Sequence, residues 1–271
     1  MEEKYVTADG IKTRYLEEGT GPAVILLHGN SLGSSAEVYE KNIPVLAKAG
    51  MRAIAYDSPG YGFSDNPKDY SDTYRTSFIL KFMDAVEIQK AYLVAHSAIG
   101  RVGAPIVLDN PQRFEGFVAL GASPLLPPLA GAGERPEVEN IPPTLESTRK
   151  RLESDLYNHT LITQERLERR LFLSTGKNFD AAQGRAKAAH AQKGGQGGGT
   201  PLWQRLADAP IPKLYLFGRE DRGGTSAKRC ALLAESHPNL KIHLIDHCCH
   251  LVMIDAEEEF NKKMIEFVTG R

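Results

Sequence analysis

The sequence predicts an α/β fold in which a mostly parallel, eight-stranded sheet is covered by helices on both faces and interrupted by one helical insertion. Three observations predict it. Apolar runs of strand length alternate with segments of helical length on both sides of residues 123–200. Some runs, Ala23 to Leu27 above all, are continuously apolar, as strands buried on both faces must be. Residues 123–200 depart from that alternation, with a Pro- and Gly-rich start, charged amphipathic segments and a Gly-rich end. The expected boundaries are therefore a core of residues 1–122 and 201–271 and an insertion of residues 123–200.

Taken in order, Tyr5 to Thr7 and Ile11 to Glu18 read as two strands joined at Asp9 and Gly10, a hairpin turn pair. Ala23 to Leu27 is the next strand, and His28, Gly29, Asn30 and Ser31 stand at its carboxyl end. Ser35 to Ala49 reads as one helix closed by Gly50. Arg52 to Tyr56 is a strand, and Asp57 to Asp65 is a long turn dense in Gly and Pro. Asp57 is expected to fix that turn rather than to act as a catalytic acid. Thr73 to Val86 reads as a helix and Ala91 to Ala95 as a strand.

Ser97 follows that strand among small residues, and Arg101 to Asp109 continues as a helix with Pro105 inside it. A strand that turns at once into a helix holds a serine hydroxyl clear of the sheet, on strained backbone. The helix start also aims free N–H groups outward. The usual pattern is Gly-x-Ser-x-Gly; here Ala95 and Ile99 flank Ser97, and Gly100 comes one place late. The other reading of such a serine is an ordinary helix N-cap.

Phe114 to Leu120 is the next strand. In the insertion, Leu145 to Tyr157 and Thr163 to Leu173 read as helices. Lys187 to Thr200, with the glycines from Gly194 to Gly199, reads as a loop. Lys213 to Phe217 and Lys241 to Asp246 are the last strands, with helices at Thr225 to Ser236 and Asp255 to Val268.

Composition narrows the function. A formal net charge of −1 favours neither nucleic acid nor an anionic membrane. No apolar run is long enough to cross a bilayer, and Met1 to Lys4 lacks the blocks of a signal peptide. The 3 cysteines, Cys230, Cys248 and Cys249, suit a reducing cytoplasm better than a disulfide framework. No metal-ligand spacing occurs, so neither metal nor cofactor is expected, and the expected partner is a small-molecule substrate.

Ser97, Asp221 and His250 each stand just beyond a predicted strand, where open parallel sheets gather their catalytic groups. Their chain order, with the His28-Gly29 loop, resembles the α/β-hydrolase superfamily over nearly the whole length. The resemblance implies that residues 123–200 are a cap over the active site. It implies Ser97 as nucleophile, His250 as base, Asp221 as its orienting acid, and the backbone N–H groups of Asn30 and Ala98 as oxyanion donors. Glu220 and His247 are the rival acid and base, and His96 is assigned to packing.

The carboxyl half is similar to the meta-cleavage product hydrolases, which cut a C–C bond in dienoates from aromatic ring fission. The similar stretches are Leu161 to Thr163 through Leu167 to Arg170, Gly218 to Arg222, Cys249-His250, and Glu259 to Asn261. This similarity places a carboxylate-binding arginine at Arg170 and puts Ser31 and Leu251 against the substrate. Four positions depart from the pattern: His96, Ile99, the Asn30-Ser31-Leu32 loop and Leu251. A carboxylic ester or lactone is the other candidate substrate. A non-catalytic ligand-binding homologue and a cofactor-free haloperoxidase are the alternative functions. Asp at position 97 would be needed for a dehalogenase or an epoxide hydrolase.

Overall fold

The computed structural model describes residues 1–129, 141–192 and 199–270. The eight strands are β1 (Glu2–Ala8), β2 (Ile11–Glu18), β3 (Ala23–Leu27), β4 (Arg52–Tyr56), β5 (Ala91–His96), β6 (Phe114–Leu120), β7 (Lys213–Gly218) and β8 (Lys241–Ile245). They form one sheet in the order β1-β2-β4-β3-β5-β6-β7-β8. β1 and β2 pair antiparallel, as do β2 and β4, and every later pair is parallel. Asp9 and Gly10 close the first hairpin with φ of 50° and 75°, the left-handed geometry of a tight two-residue turn.

The helices are α1 (Asn42–Lys48), α2 (Asp72–Ala85), α3 (Gly100–Asp109), α4 (Leu145–Asp155), α5 (Gln164–Phe172), α6 (Lys177–Gln192), α7 (Leu202–Asp208), α8 (Thr225–Ser236), α9 (Val252–Asp255) and α10 (Glu257–Thr269). Each face of the sheet has its own core. Successive side chains of a strand point to opposite faces, so Ile25 and Leu27 join Phe78, Phe82, Val102 and Leu233 under α2, α3 and α8. Val24 and Leu26 join Ile43, Leu46, Phe260 and Met264 under α1 and α10. The second core continues into Leu152 of α4 and Leu167 of α5, so these helices share buried surface with the sheet rather than standing apart from it.

Four expectations are corrected. The segment from Ser35 to Ala49 is a 3-10 turn, Ala36–Tyr39, followed by α1. Pro44 sits in the first turn of α1, where its missing N–H costs nothing, but it could not continue a helix from upstream. Lys187 to Gln192 belongs to α6 rather than to a loop, and the expected loop from Gly194 to Gly198 lies outside the described residues. α7, between the insertion and β7, is also an addition to the sequence reading. The closing helix is split, with Asp255 ending α9 and α10 starting at Glu257. Pro105 is accommodated inside α3.

Candidate active site

Ser97 directly follows β5 and takes φ of 63°, left-handed backbone that a non-glycine residue adopts only when its surroundings impose it. Those surroundings are small. A Cβ on Gly29 would stand 2.9 Å from His96 Nδ1 and 3.2 Å from Ser97 Cβ, so the His28-Gly29 loop can close on the turn only as glycine. Gly100, one place later than the usual pattern, lets the start of α3 approach Leu125 and Ala122; a Cβ there would meet them at 3.0 and 3.1 Å. Ile99 is buried in the core beside Val102, which is how the turn tolerates a β-branched residue.

The three groups read from sequence meet. His250 Nδ1 lies 3.1 Å from Asp221 Oδ1, and His250 Nε2 lies 2.7 Å from Ser97 Oγ. A carboxylate only accepts, so Nδ1 carries the ring proton and Nε2 faces the hydroxyl as acceptor. Asp221 also accepts the Ser226 hydroxyl at 2.7 Å. Burial pushes its carboxyl up, but the His250 hydrogen bond and charge, the Ser226 hydroxyl and Arg222 outweigh that and hold it below its ordinary range. Ser97, Asp221 and His250 are all buried.

The rivals face elsewhere. Glu220 accepts the Cys248 N–H at 3.0 Å rather than bonding His250. His247 has φ of 54° and its Nδ1 faces the Tyr157 hydroxyl at 3.1 Å. Asp57 is a turn anchor, accepting the N–H groups of Ala36 and Phe63 at 2.7 and 2.8 Å and pairing with Arg14.

Two buried histidines frame the site as neutral rings. His28 Nε2 accepts the Ser58 N–H at 3.0 Å, so its Nδ1–H donates to Gly29 O at 2.8 Å. Burial pushes its pKa down to about 3; the Gly29 bond opposes this, and the charges of Arg75, Arg185 and Arg170 add to it. His96 does more than pack: its Nε2–H donates to the His250 carbonyl at 2.9 Å, and burial, followed by the charge of the His250 ring, pushes its pKa down to about 3. A neutral His96 thus keeps its proton on the bond that steadies the His250 backbone.

That backbone is held along its length. The Asp155 carbonyl, at the end of α4, accepts both His250 N–H and Leu251 N–H at 3.0 Å. The Asp255 carboxylate accepts Cys249 N–H at 2.9 Å, together with Tyr157 N–H at 2.7 Å and Asn158 N–H at 3.1 Å. One side chain therefore ties the segment leaving α4 to the turn carrying His250. Asp255→Ala is expected to destabilise the fold by about 1–3 kcal/mol, the cost of one partly buried and two exposed N–H groups losing a shared ionised acceptor. Thermal unfolding measures this, and a loss of turnover beyond the unfolded fraction would show that the His250 turn has moved.

The remaining sequence candidates fall around the same loop. Ala98 lies in the first turn of the 3-10 segment Ser97–Ile99, where helix N–H groups lack an internal partner. Asn30 accepts from the Tyr61 hydroxyl through its carbonyl at 3.1 Å and from Arg75 through Oδ1 at 2.7 Å, which fixes the orientation of its peptide. Ser31 Oγ accepts from Arg151 of α4 at 3.0 Å. Arg170 is buried, and its Nη2 has no hydrogen-bond partner. Arg170 and Leu251 line a cavity of about 580 Å³, together with Gly33, Leu152 and Leu161. The wall of that cavity reaches Leu251 but not Ser97.

The α/β-hydrolase-fold family model matches residues 22–257. The chain belongs to the α/β-hydrolase-fold family. A 2-hydroxy-6-oxononadienedioate/2-hydroxy-6-oxononatrienedioate hydrolase of Burkholderia vietnamiensis is 29% identical over 98% of this chain and 95% of its own length. A 2-hydroxy-6-oxo-6-phenylhexa-2,4-dienoate hydrolase of Comamonas testosteroni is 28% identical over 95% of this chain and 91% of its own. Among solved structures, a meta-cleavage product hydrolase from Pseudomonas fluorescens superposes with a TM-score of 0.79, at 28% identity, covering 98% of this chain and 97% of that one. The similarity to this group of α/β-hydrolases thus spans the sheet and the inserted helices alike.

Among the described residues of this α/β-hydrolase, no group of three or more His, Cys, Asp or Glu is placed to hold a metal ion. No described helix is long and apolar enough to cross a membrane.

Proposed function

We propose that this α/β-hydrolase cleaves the C–C bond of a 2-hydroxy-6-oxo-dienoate, with Ser97 as nucleophile, His250 as base and Asp221 as its orienting acid. The observation that carries the serine-hydrolase reading is the unbroken chain of contacts from Asp221 through His250 to Ser97, and the similarity to dienoate hydrolases supports the C–C bond as its target. Residues 1–122 and 201–271 supply that machinery and residues 123–200 act as its cap.

Ser97 Oγ attacks the keto carbon as its proton passes to His250 Nε2, and Asp221 stabilises the imidazolium. The N–H groups of Asn30 and Ala98 hold the oxyanion, each such donor being worth about 3–4 kcal/mol in comparable sites. The dienoate must first shift its 2-hydroxyl proton to C5, making that carbon tetrahedral; when the C–C bond then breaks, its electron pair passes into a conjugated dienolate, which takes the proton from His250. Water, deprotonated by the same base, frees the acyl group. One substrate and one water thus give two acids.

Arg170 would hold the carboxylate of the dienoate half. Arg170 is a buried guanidinium with an unpartnered Nη2, and its planar fork suits a carboxylate. Burial pushes the Arg170 pKa down, opposed by Asp155, so a paired carboxylate would also stabilise its charge. Leu251 and Ser31 would line the same end. The test is a panel comparing a coloured dienoate with short p-nitrophenyl esters. The dienoate is expected to be preferred, and Arg170→Gln to raise its KM by about tenfold or more, as loss of a charge-assisted pair does. Equal rates on the esters, with indifference to Arg170, would favour a carboxylesterase or lactonase instead.

The names of the relatives differ in the acyl half: one carries a second carboxylate and the other a phenyl ring. Nothing in the triad chooses between them.

A further inference from the structure

A pair of arginines, Arg75 and Arg185, gathers around Tyr61 next to Asn30 in the His28–Gly33 loop. Arg75 of α2 is buried; its Nη1 bonds Asp72 at 3.1 Å, its Nη2 bonds Asn30 Oδ1 at 2.7 Å, and its Nε is buried with no partner. Arg185 of α6 stacks on Tyr61, its guanidinium carbon 3.8 Å from the ring centroid, and donates to the Gly60 carbonyl at 3.0 Å. The guanidinium of Arg75 lies 5.8 Å from the same ring. Among the described residues Arg185 has no carboxylate partner, and Asp72 is shared between Arg75 and Arg101, the latter at 3.2 Å.

Asp72 offsets the Arg75 charge from one side, but Arg185, largely withdrawn from water on the same ring, has the like charge of Arg75 near it and no carboxylate of its own among the described residues. Burial pushes the Arg185 pKa down; the Tyr61 hydroxyl opposes this and the Arg75 charge adds to it. Tyr61 itself is buried, and its hydroxyl bonds the Asn30 carbonyl. The pair is thus joined through Asn30 to Gly29, the residue packed against Ser97. Arg170 meets the same loop further along, where a Cβ on Gly33 would come within 2.9 Å of its Cγ.

We propose that Arg75 and Arg185 form a second anion subsite, beside Asn30, for a carboxylate on the acyl side of the scissile bond. The favoured substrate is then a dienoate with a carboxylate at each end, one for Arg170 and one for this pair. This deepens the hydrolase reading and rests on it. A guanidinium that merely docks α6 onto Tyr61 would support stability but would not distinguish one acyl half from another.

The experiment compares a 2-hydroxy-6-oxo-dienedioate with the same compound methyl-esterified at the distal carboxylate, which removes that charge alone. The native enzyme is expected to favour the dioate by about tenfold or more in kcat/KM. Arg185→Gln is expected to bring the ratio towards one, chiefly through KM for the dioate, and Arg185→Lys to restore much of it. A native ratio near one, or equal losses on both compounds in Arg185→Gln, would overturn the subsite while leaving the hydrolase reading intact. The native ratio decides even if Arg185→Gln does not fold. If neither compound is turned over, the hydrolase reading fails, and calorimetric titration of both compounds into the native protein still tests the subsite. Tighter binding of the dioate supports it, and equal affinities overturn it.

Discussion

Ser97→Ala and His250→Ala are each expected to abolish turnover, by roughly a millionfold in comparable triads, and the double variant is expected to be no worse than either single one. The non-additivity is the informative part. The hydroxyl at 2.7 Å from His250 Nε2 is a weak nucleophile near neutral pH and gains its reactivity from that contact. Removing either member therefore removes the same step. Labelling by a fluorophosphonate should require both side chains, and single-turnover kinetics on the dienoate should show the same floor for all three variants. An additive loss would mean that the two residues act separately. Full labelling in His250→Ala would mean that another base serves Ser97. An inert native protein with intact fold would instead indicate a ligand-binding homologue.

Both variants should fold. The Ser97 hydroxyl contributes to no core, and His250 is fixed by its backbone, through Asp155 and His96, more than by its ring. Comparable unfolding temperatures in native and variant proteins would check this.

What could be read from the sequence follows from what each feature depends on. β2, β3, β4 and β6 have the bounds their residues suggested: β3 because a strand buried on both faces is apolar along its length, and β2 because the Asp9-Gly10 turn fixes where it starts. Ser97, Asp221 and His250 were legible because chemistry and strand-end position coincide there. α6 was not. Its sequence is Ala-rich, without an apolar stripe, and contains Gly184, which reads as a breaker. In the fold that glycine is a contact: a Cβ would stand 2.6 Å from the Tyr70 ring, so α6 can lie on the turn after β4 only because the side chain is missing. Arg185, one residue on, gains its stack on Tyr61 from that approach.

The support of the His250 turn was illegible for a different reason. Asp255 and the Asp155 carbonyl act on backbone N–H groups, which every residue but proline carries. Such contacts leave no pattern of side-chain types. The break at Pro44 was legible in principle, since a proline in the middle of a proposed helix marks a boundary, but the apolar spacing across it outweighed that signal.

Gly218→Ala is the second substitution expected to have a large effect, again through backbone contacts. Gly218 ends β7 and looks like a routine loop glycine. A Cβ there would lie 2.1 Å from the Cys248 carbonyl oxygen and 2.2 Å from that of Cys249. Both are backbone atoms, so no side chain can swing aside. Either β7 or the turn carrying His250 must move, and β7 is the less free of the two. It pairs with β6 on one edge and β8 on the other, and its Leu216 and Phe217 are buried in the two cores. The turn is therefore expected to yield, carrying His250 away from Ser97 and Asp221, and loosening the Asp255 and Asp155 contacts with it. A shift of about 1 Å costs on the order of a hundredfold in rate where reacting groups must be aligned. The stability cost of such overpacking is about 1–3 kcal/mol. Turnover on the dienoate should thus fall far more than the unfolded fraction explains, with kcat losing more than KM. Native-like turnover in a folded Gly218→Ala protein would show that the strand end gives way instead and that the His250 turn is not held where these contacts place it.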